Sequence, residues 1–274
     1  MRVAVIIPAA GSSRRYSEGA EFPRSKLDED LGGRPVLQRT VELFTKVDVV
    51  SAIIVAGPAD PAALDEFRAR HADKLGLLGV TICPGGRTHR FETVAAALAH
   101  VPADATHVAV HDAARPCAPL LLIERLIEAA GKYPAVVPAI DASDTLKRVG
   151  EREATDADVD PLDAILGPAT KVNVRVRVVE STIDRSRLVA VQTPQVFAAD
   201  LLRRAYAALA QSASRTGFRV PTDDAEAVER LGEPVTVVEG DPRNIKITRP
   251  IDAQLARSIL GLRESEHRPV HKRF

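Results

Sequence analysis

The sequence predicts an α/β protein: a mainly parallel twisted sheet with helices on both faces, plus a projecting β arm. Three observations carry that expectation. Apolar strand-like runs alternate with amphipathic helical stretches along most of the chain, which calls for crossover connections and a parallel sheet. The rhythm breaks once, over 141–187, where charged and small residues surround an alternating valine run. The first strand-like run ends in small residues and then meets two arginines. Ligands bind at such strand ends in sheets of this kind.

The elements follow in order. Val3–Ile7 is a continuous apolar, β-branched run and reads as a buried strand. Further strands are expected at Ala52–Ala56, Val80–Cys83, His107–Val110 and Ala135–Ile140, with helices at Pro35–Phe44, Pro61–Ala72, Phe91–His100 and Leu120–Gly131. Val172–Val179 alternates at period two, as a two-faced antiparallel strand would. After Thr193-Pro194 the α/β pattern resumes, with helices at Ala199–Ala213, Asp224–Leu231 and Ile251–Leu262 and strands at Val235–Glu239 and Ile245–Ile247. The expected organisation is a core of 1–140 and 188–263, an arm inserted at 141–187, and a frayed tail at 264–274.

Composition narrows the function. The chain has 274 residues, 45% hydrophobic and 27% charged, enough for one large domain or for one domain with an appendage. Lys plus Arg equals Asp plus Glu at 37 each, so no overall positive field exists to hold nucleic acid. Aromatics at 4% with no Trp also argue against a base-stacking platform. Cys83 and Cys117 stand apart with no CxxC, which suits a reducing compartment and gives no zinc site. No apolar run approaches the roughly 20 residues needed to cross a bilayer. Met1-Arg2 leads straight into a strand, so a cytoplasmic location without a signal peptide is expected.

Four stretches carry chemistry. Pro8-Ala9-Ala10-Gly11-Ser12-Ser13 has side chains small enough for a ligand to reach the main chain, whose N–H groups can cradle an anion. Arg14 and Arg15 follow with forked positive charge suited to phosphate, and Lys26 adds a second kind of cation. No Gly-Lys-Ser/Thr follows and Gly11 stands alone, so neither a Walker loop nor a dinucleotide fingerprint is present. The loop Pro84–Thr93 opens on paired glycines and reaches Thr93 in the first turn of a helix. At His111-Asp112-Ala113-Ala114-Arg115-Pro116 a strand ends in a carboxylate suited to a hydrated Mg²⁺ or a ribose hydroxyl, while His111 reads as a packed residue. Thr145, Arg185, Thr193, Thr222 and Lys246 are weaker candidates taken singly.

In this order the segments resemble the 2-C-methyl-D-erythritol 4-phosphate cytidylyltransferase family of the non-mevalonate isoprenoid pathway. The resemblance runs from Pro8 to Pro250. It rests on His111–Pro116, Thr193-Pro194-Gln195 and Asn244-Ile245-Lys246-Ile247-Thr248-Arg249-Pro250 as well as the two glycine-bearing loops. It implies a glycosyltransferase-A-like nucleotidyltransferase, a homodimer joined through the arms, and transfer of CMP from CTP to a polyol phosphate with release of pyrophosphate, Mg²⁺ or another divalent cation assisting. By position it makes Arg15, Lys26, Arg185 and Lys246 catalytic, with Arg185 donated across the dimer. CTP falls to Pro8, Ala9, Ala10, Gly11, Ser12, Ser13, Gly86, Arg90, Thr93, Asp112 and Ala113. The acceptor falls to Asp112, Arg115, Thr145, Arg185, Thr193, Thr222 and Lys246, and Asp112 is the metal candidate.

Three departures stand out. The loop Tyr16–Ser25 is longer than is usual in the family, the glycine loop has one extra residue before Arg90 with Arg87 where a base-contacting residue such as Asp is common, and the arm is enlarged. These keep a second acceptor, ribitol 5-phosphate or another polyol phosphate, as the alternative. A catalytically silent nucleotide-binding protein is a further alternative, and the absent glycine triplet makes a dinucleotide oxidoreductase the remotest one.

Overall fold

A computed structural model describes residues 1–18, 24–153 and 177–262. It divides into two units, residues 1–140 with 191 onward, and Asp141–Ala190. The first unit carries β1 (Val3–Pro8), α1 (Arg14–Ser17), α2 (Val36–Glu42), β2 (Val50–Gly57), α3 (Pro61–Gly76), β3 (Val80–Pro84), α4 (Arg90–Leu98), β4 (His107–Val110), α5 (Leu120–Ala130) and β5 (Ala135–Asp141). Within the second lie β6 (Leu146–Glu153) and β7 (Arg177–Ile183), and β8 (Val189–Val191) spans the return. The first unit then continues with β9 (Gln195–Ala198), α6 (Ala199–Ser212), α7 (Asp224–Glu229), β10 (Thr236–Glu239) and α8 (Pro250–Ile259).

The main sheet runs β10-β5-β9-β4-β1-β2-β3. Its β1–β2, β2–β3, β1–β4 and β5–β10 pairs are parallel. Strand β1 is central and buried on both faces, which is why its sequence is an unbroken apolar run. Val3, Val5 and Ile7 face one core with Leu37 of α2, Phe67 of α3, Leu126 of α5 and Ala253 of α8. Ala4 and Ile6 face the other, with Val94 of α4, Leu202 of α6 and Val228 of α7. Period-two alternation along one strand thus feeds two helical layers.

Two sequence expectations need correction. Strand β9 has no counterpart among the expected elements; it is a four-residue antiparallel strand inserted between β4 and β5. Nothing in Gln195–Ala198 signals it locally, because its stability comes from both neighbours and from Phe197, which is fully buried. The expected strand Ile245–Ile247 is irregular backbone instead. Ile247 is buried, and its N–H donates to the Ala114 carbonyl at 2.8 Å, so it anchors a loop rather than extending a ladder.

In the second unit, β6 and β7 pair antiparallel with register shifts at Arg148/Val149 and Val149/Glu153. Residues 172–176 of the expected valine strand, and the tail 264–274, lie outside the described residues. Among those described, no helix is long and apolar enough to cross a membrane.

Candidate active site

The loops that follow β1, β3 and β4, with the segment that carries Lys246, surround a pocket of about 230 Å³. The first leaves β1. Ala9 continues the ladder, its N–H donating to the Ala56 carbonyl at 2.8 Å. Ser13 then takes φ 54°, the one non-glycine residue with positive φ among those described. That left-handed turn costs about 1 kcal/mol. It starts α1, with the Ser13 carbonyl accepting from the N–H groups of Tyr16 and Ser17. The Ser13 hydroxyl oxygen accepts the Lys26 N–H at 3.2 Å, joining the small-residue loop to the segment that carries the lysine.

The glycine loop after β3 needs glycine because other groups approach closely, not because of φ. A Cβ on Gly85 would stand 2.6 Å from the Gly57 carbonyl oxygen, and one on Gly86 would stand 2.2 Å from Glu92 Cβ. The Gly86 N–H donates to Thr93 Oγ1 at 3.1 Å. Glu92 Oε2 accepts from the N–H groups of Thr88 (2.9 Å) and His89 (3.4 Å). Those N–H groups hold the Glu92 carboxyl below its usual range. The loop is therefore clamped on both sides of Arg87 and Thr88.

The β4 end is built around His111. It is fully buried, and burial pushes its imidazole down to about 4. Nε2 lies 3.0 Å from the Arg115 carbonyl and must donate to it, so Nδ1 accepts from the Thr193 hydroxyl 3.2 Å away. Thr193 Oγ1 in turn accepts the Asp112 N–H at 3.0 Å. Asn244 Nδ2 donates to the Thr193 carbonyl at 2.8 Å, and Arg115 Nη1 donates to the Asn244 carbonyl at 2.6 Å. This network seats the Lys246 segment beside β4, although the two are far apart in sequence.

Charge converges on Asp112. Its Oδ2 meets Lys246 Nζ at 2.8 Å and Arg115 Nε at 3.4 Å, while Oδ1 meets Arg90 Nε at 3.4 Å. Although burial opposes ionisation, Arg90, Lys246 and Arg115 hold this carboxyl far below the usual range. Lys26 is pushed down to about 8 by burial and then by the charge of Lys246, partly offset by Asp112, with Arg15 adding further repulsion. Lys26 and Lys246 line the pocket itself. Arg15 lies in an adjoining cleft of about 530 Å³ that shares Ala10, Gly11 and Lys26 with the pocket.

Most of the expected residues gather here. Pro8, Ala9, Ala10, Gly11, Gly86, Arg90, Thr93, Asp112 and Ala113 line the pocket, and Ser12 and Ser13 line the adjoining cleft. Others are placed differently. Thr193 is buried with its hydroxyl spent on His111 and Asp112. Thr222 is exposed and its hydroxyl donates to Glu226, while the cap of α7 is Asp223. Thr145 and Arg185 belong to the second unit, where Arg185 Nη1 donates to the carbonyls of Ala142 and Ser143. Arg87, Thr88, His89 and Thr248 also line these spaces and had no role assigned from sequence. Arg87 to His89 lie within the glycine loop, so loop membership was the available signal.

Among the described residues, no three His, Cys, Asp or Glu side chains are grouped to hold a metal. Asp112 is the one carboxylate lining the pocket, and its oxygens already face three cations. Small residues, backbone and cations around a single carboxylate suit the positioning of anions.

A family model described as 2-C-methyl-D-erythritol 4-phosphate cytidylyltransferase matches residues 3–160 and 163–262. A relative of that name from Acidobacterium capsulatum is 39% identical over 267 residues, 97% of this chain and 100% of its own. Another, from Symbiobacterium thermophilum, is 39% identical over 258 residues, covering 94% and 92%. The crystal structure of the Thermus thermophilus protein of the same name superposes with TM-score 0.66 at 29% identity, covering 96% and 100%. That of 4-diphosphocytidyl-2C-methyl-D-erythritol synthase from Anaerococcus prevotii gives TM-score 0.69 at 27% identity, covering 95% and 98%.

The His111 environment yields a stability prediction. Its folded value, about 4, lies below the unfolded 6.5, so its stabilising contribution is complete above 6.5 and is lost as pH falls toward 4. Between pH 7 and 5 that loss amounts to about 2 kcal/mol. Urea unfolding at the two pH values should show it, and His111→Gln should reduce the difference by that amount. An unchanged pH dependence in the variant would mean that His111 is not held neutral.

Proposed function

This chain belongs to the 2-C-methyl-D-erythritol 4-phosphate cytidylyltransferase family, and from that premise we propose which residues carry its reaction. The enzyme moves CMP from CTP to 2-C-methyl-D-erythritol 4-phosphate and releases pyrophosphate, a step of isoprenoid precursor biosynthesis. The observation that supports the assignment of residues is that Lys26, Lys246 and Asp112 line one pocket, Lys246 paired with Asp112, while Arg15 lines the adjoining cleft that shares Lys26.

An acceptor phosphate monoester is largely a dianion near neutral pH, so no general base is needed to make the nucleophile. Its oxygen attacks the α-phosphorus of CTP, the bond to the bridging oxygen breaks, and pyrophosphate leaves with that electron pair. The difficulty is electrostatic: one anion must approach another while charge grows on the α-phosphate and leaving group. Catalysis is therefore positioning plus preorganised positive charge. Backbone N–H groups of Ala10–Ser13 would cradle the triphosphate, with the base in the pocket beside Gly86 and Thr93. Arg15 and Lys26 would meet the developing charge from the adjoining cleft. Lys246, with the tethered Arg115 behind it, would face the acceptor phosphate, joined by Arg185 from a second copy of the chain in a homodimer.

Asp112 alone does not make a magnesium site. A divalent ion would be held by the nucleotide's phosphate oxygens and would neutralise part of their charge.

Pyrophosphate release with CTP, Mg²⁺ and methylerythritol phosphate tests the reading. Losing Arg15 or Lys26 as alanine should lower kcat about 10²–10³-fold, or about 3–4 kcal/mol, with a smaller change in CTP affinity. Wild-type turnover in either variant would remove that residue from the set.

Lys26 works as the cation and its value is about 8, so kcat/KM for CTP should be level from about pH 7 to 8, where the phosphates are already ionised, and fall above it. Lys26→Arg should lift that alkaline limit, and an identical pH profile would refute the assignment. If Arg185 acts across the dimer, mixing Arg15→Ala with Arg185→Ala chains should restore activity that neither has alone. Absence of recovery would place both residues on one chain's site.

A further inference from the structure

The charges behind the pocket form a countable set. Arg90 Nη1 meets Asp224 Oδ2 at 2.8 Å, and its Nε faces Asp112 Oδ1 at 3.4 Å. Asp224, in the first turn of α7, is fully buried, and the Tyr206 hydroxyl of α6 donates to its other oxygen. Across Asp112 stand Arg115 and Lys246. Two carboxylates therefore face three cations. Arg90 and Arg115 balance Asp112 and Asp224, and the charge of Lys246 is surplus.

The three cations differ in freedom. The Arg90 guanidinium bridges two carboxylates, and that of Arg115 is tied to the Asn244 carbonyl as well as to Asp112. Lys246 has one partner among the described residues, and its side chain is 38% exposed. It is the member able to swing.

We propose that Arg90 is a positioning residue for the acceptor: by balancing Asp112 and Asp224, it leaves Lys246 free to turn from Asp112 to the acceptor phosphate. This rests on the reading that Lys246 meets that phosphate. A buried carboxylate without a partner is strongly unfavourable. Without Arg90, Asp112 would keep only Arg115 and Lys246 as partners. The field of Asp224, left with the Tyr206 hydroxyl alone, would add to that of Asp112, and the lysine would be held in the cluster. Arg90 then serves the acceptor even though it stands at the start of α4, on the nucleotide loop.

Arg90→Gln should raise the acceptor KM by about 10- to 100-fold and lower kcat. CTP affinity, measured by calorimetry with CTP alone, should change by no more than a few fold. Adding Asp224→Asn removes the matching negative charge, so Arg90→Gln/Asp224→Asn should recover much of the lost acceptor affinity. A merely structural role predicts the reverse, because a second buried substitution compounds the first. Arg90→Lys should retain an intermediate acceptor KM.

Weakened CTP binding with an unchanged acceptor KM in Arg90→Gln would make Arg90 a nucleotide ligand and overturn the proposal. A double variant no better than the single would overturn it as well. If Arg90→Gln alone does not fold, the double variant decides: an acceptor KM near wild type supports the proposal, and one raised as far as in Lys246→Gln refutes it. Lys246→Gln also separates the two readings. An unchanged acceptor KM there removes the role of Lys246, whereas a raised KM there with an unaffected Arg90→Gln removes only Arg90.

Discussion

One buried carboxylate organises the working edge of this protein. Asp112 stands just past β4, the strand beside central β1, and the two strands end at the same rim. Three cations from separate parts of the chain converge on it: Arg90 from the start of α4, Arg115 from its own loop, and Lys246 from the segment before α8. Without that negative charge the three would repel one another across a few ångströms of partly desolvated space. The carboxylate therefore does structural work before any ligand arrives. The formal net charge of zero conceals this concentration, because the balance holds over the whole chain and not at the rim.

The network behind Asp112 explains why the edge is rigid. A neutral His111 with a fixed tautomer, the Thr193 hydroxyl and the Asn244 amide form a chain of hydrogen bonds in which each donor has an acceptor. Thr40 on α2 donates to the Ala113 carbonyl at 2.9 Å and closes the same loop from the other side. Such polar networks favour one arrangement because a rearrangement strands further buried groups; Asn244 Oδ1 is the one network oxygen without a partner. The loop that must face a highly charged substrate is in this way held by neutral groups.

Sequence reading succeeds where topology dictates the outcome. A strand buried on both faces must be a continuous apolar run, so β1 is legible, and in a parallel sheet the loops that follow β1, β3 and β4 must share one edge. It fails where a segment's role depends on its neighbours. Strand β9 is four residues long and owes its place to the gap between β4 and β5. Ile245-Lys246-Ile247 alternates like a strand, but only because one isoleucine must anchor the loop while the lysine faces the pocket. Side-chain roles are the least legible. The sequence does not show that the Thr193 hydroxyl is bonded to His111 and Asp112, nor that Arg90, which lines the pocket, also bridges two carboxylates. Composition and spacing place a residue on a loop, but they do not say which buried charge will claim it.

Lys26 shows what gathering these cations costs. The fall of its pKa from 10.5 to about 8 represents roughly 3 kcal/mol of bias against the charged form, part desolvation and part repulsion from Lys246 and Arg15. The repulsive part exists because the cations were gathered before the anions they serve. A triphosphate and a phosphate monoester entering this space replace repulsion with attraction, and the benefit is largest where negative charge grows as the new bond forms. Preorganised cations need no reorientation at that moment, which is the advantage of a protein site over water. The same repulsion would disperse the cluster in a less constrained fold. It is tolerated here because Asp112 offsets part of it and because the loop segments are tied by backbone bonds such as those from Lys26 to Ser13 and from Ile247 to Ala114. A site that catalyses by holding like charges together thus requires both the buried carboxylate and the rigid sheet edge that supports it.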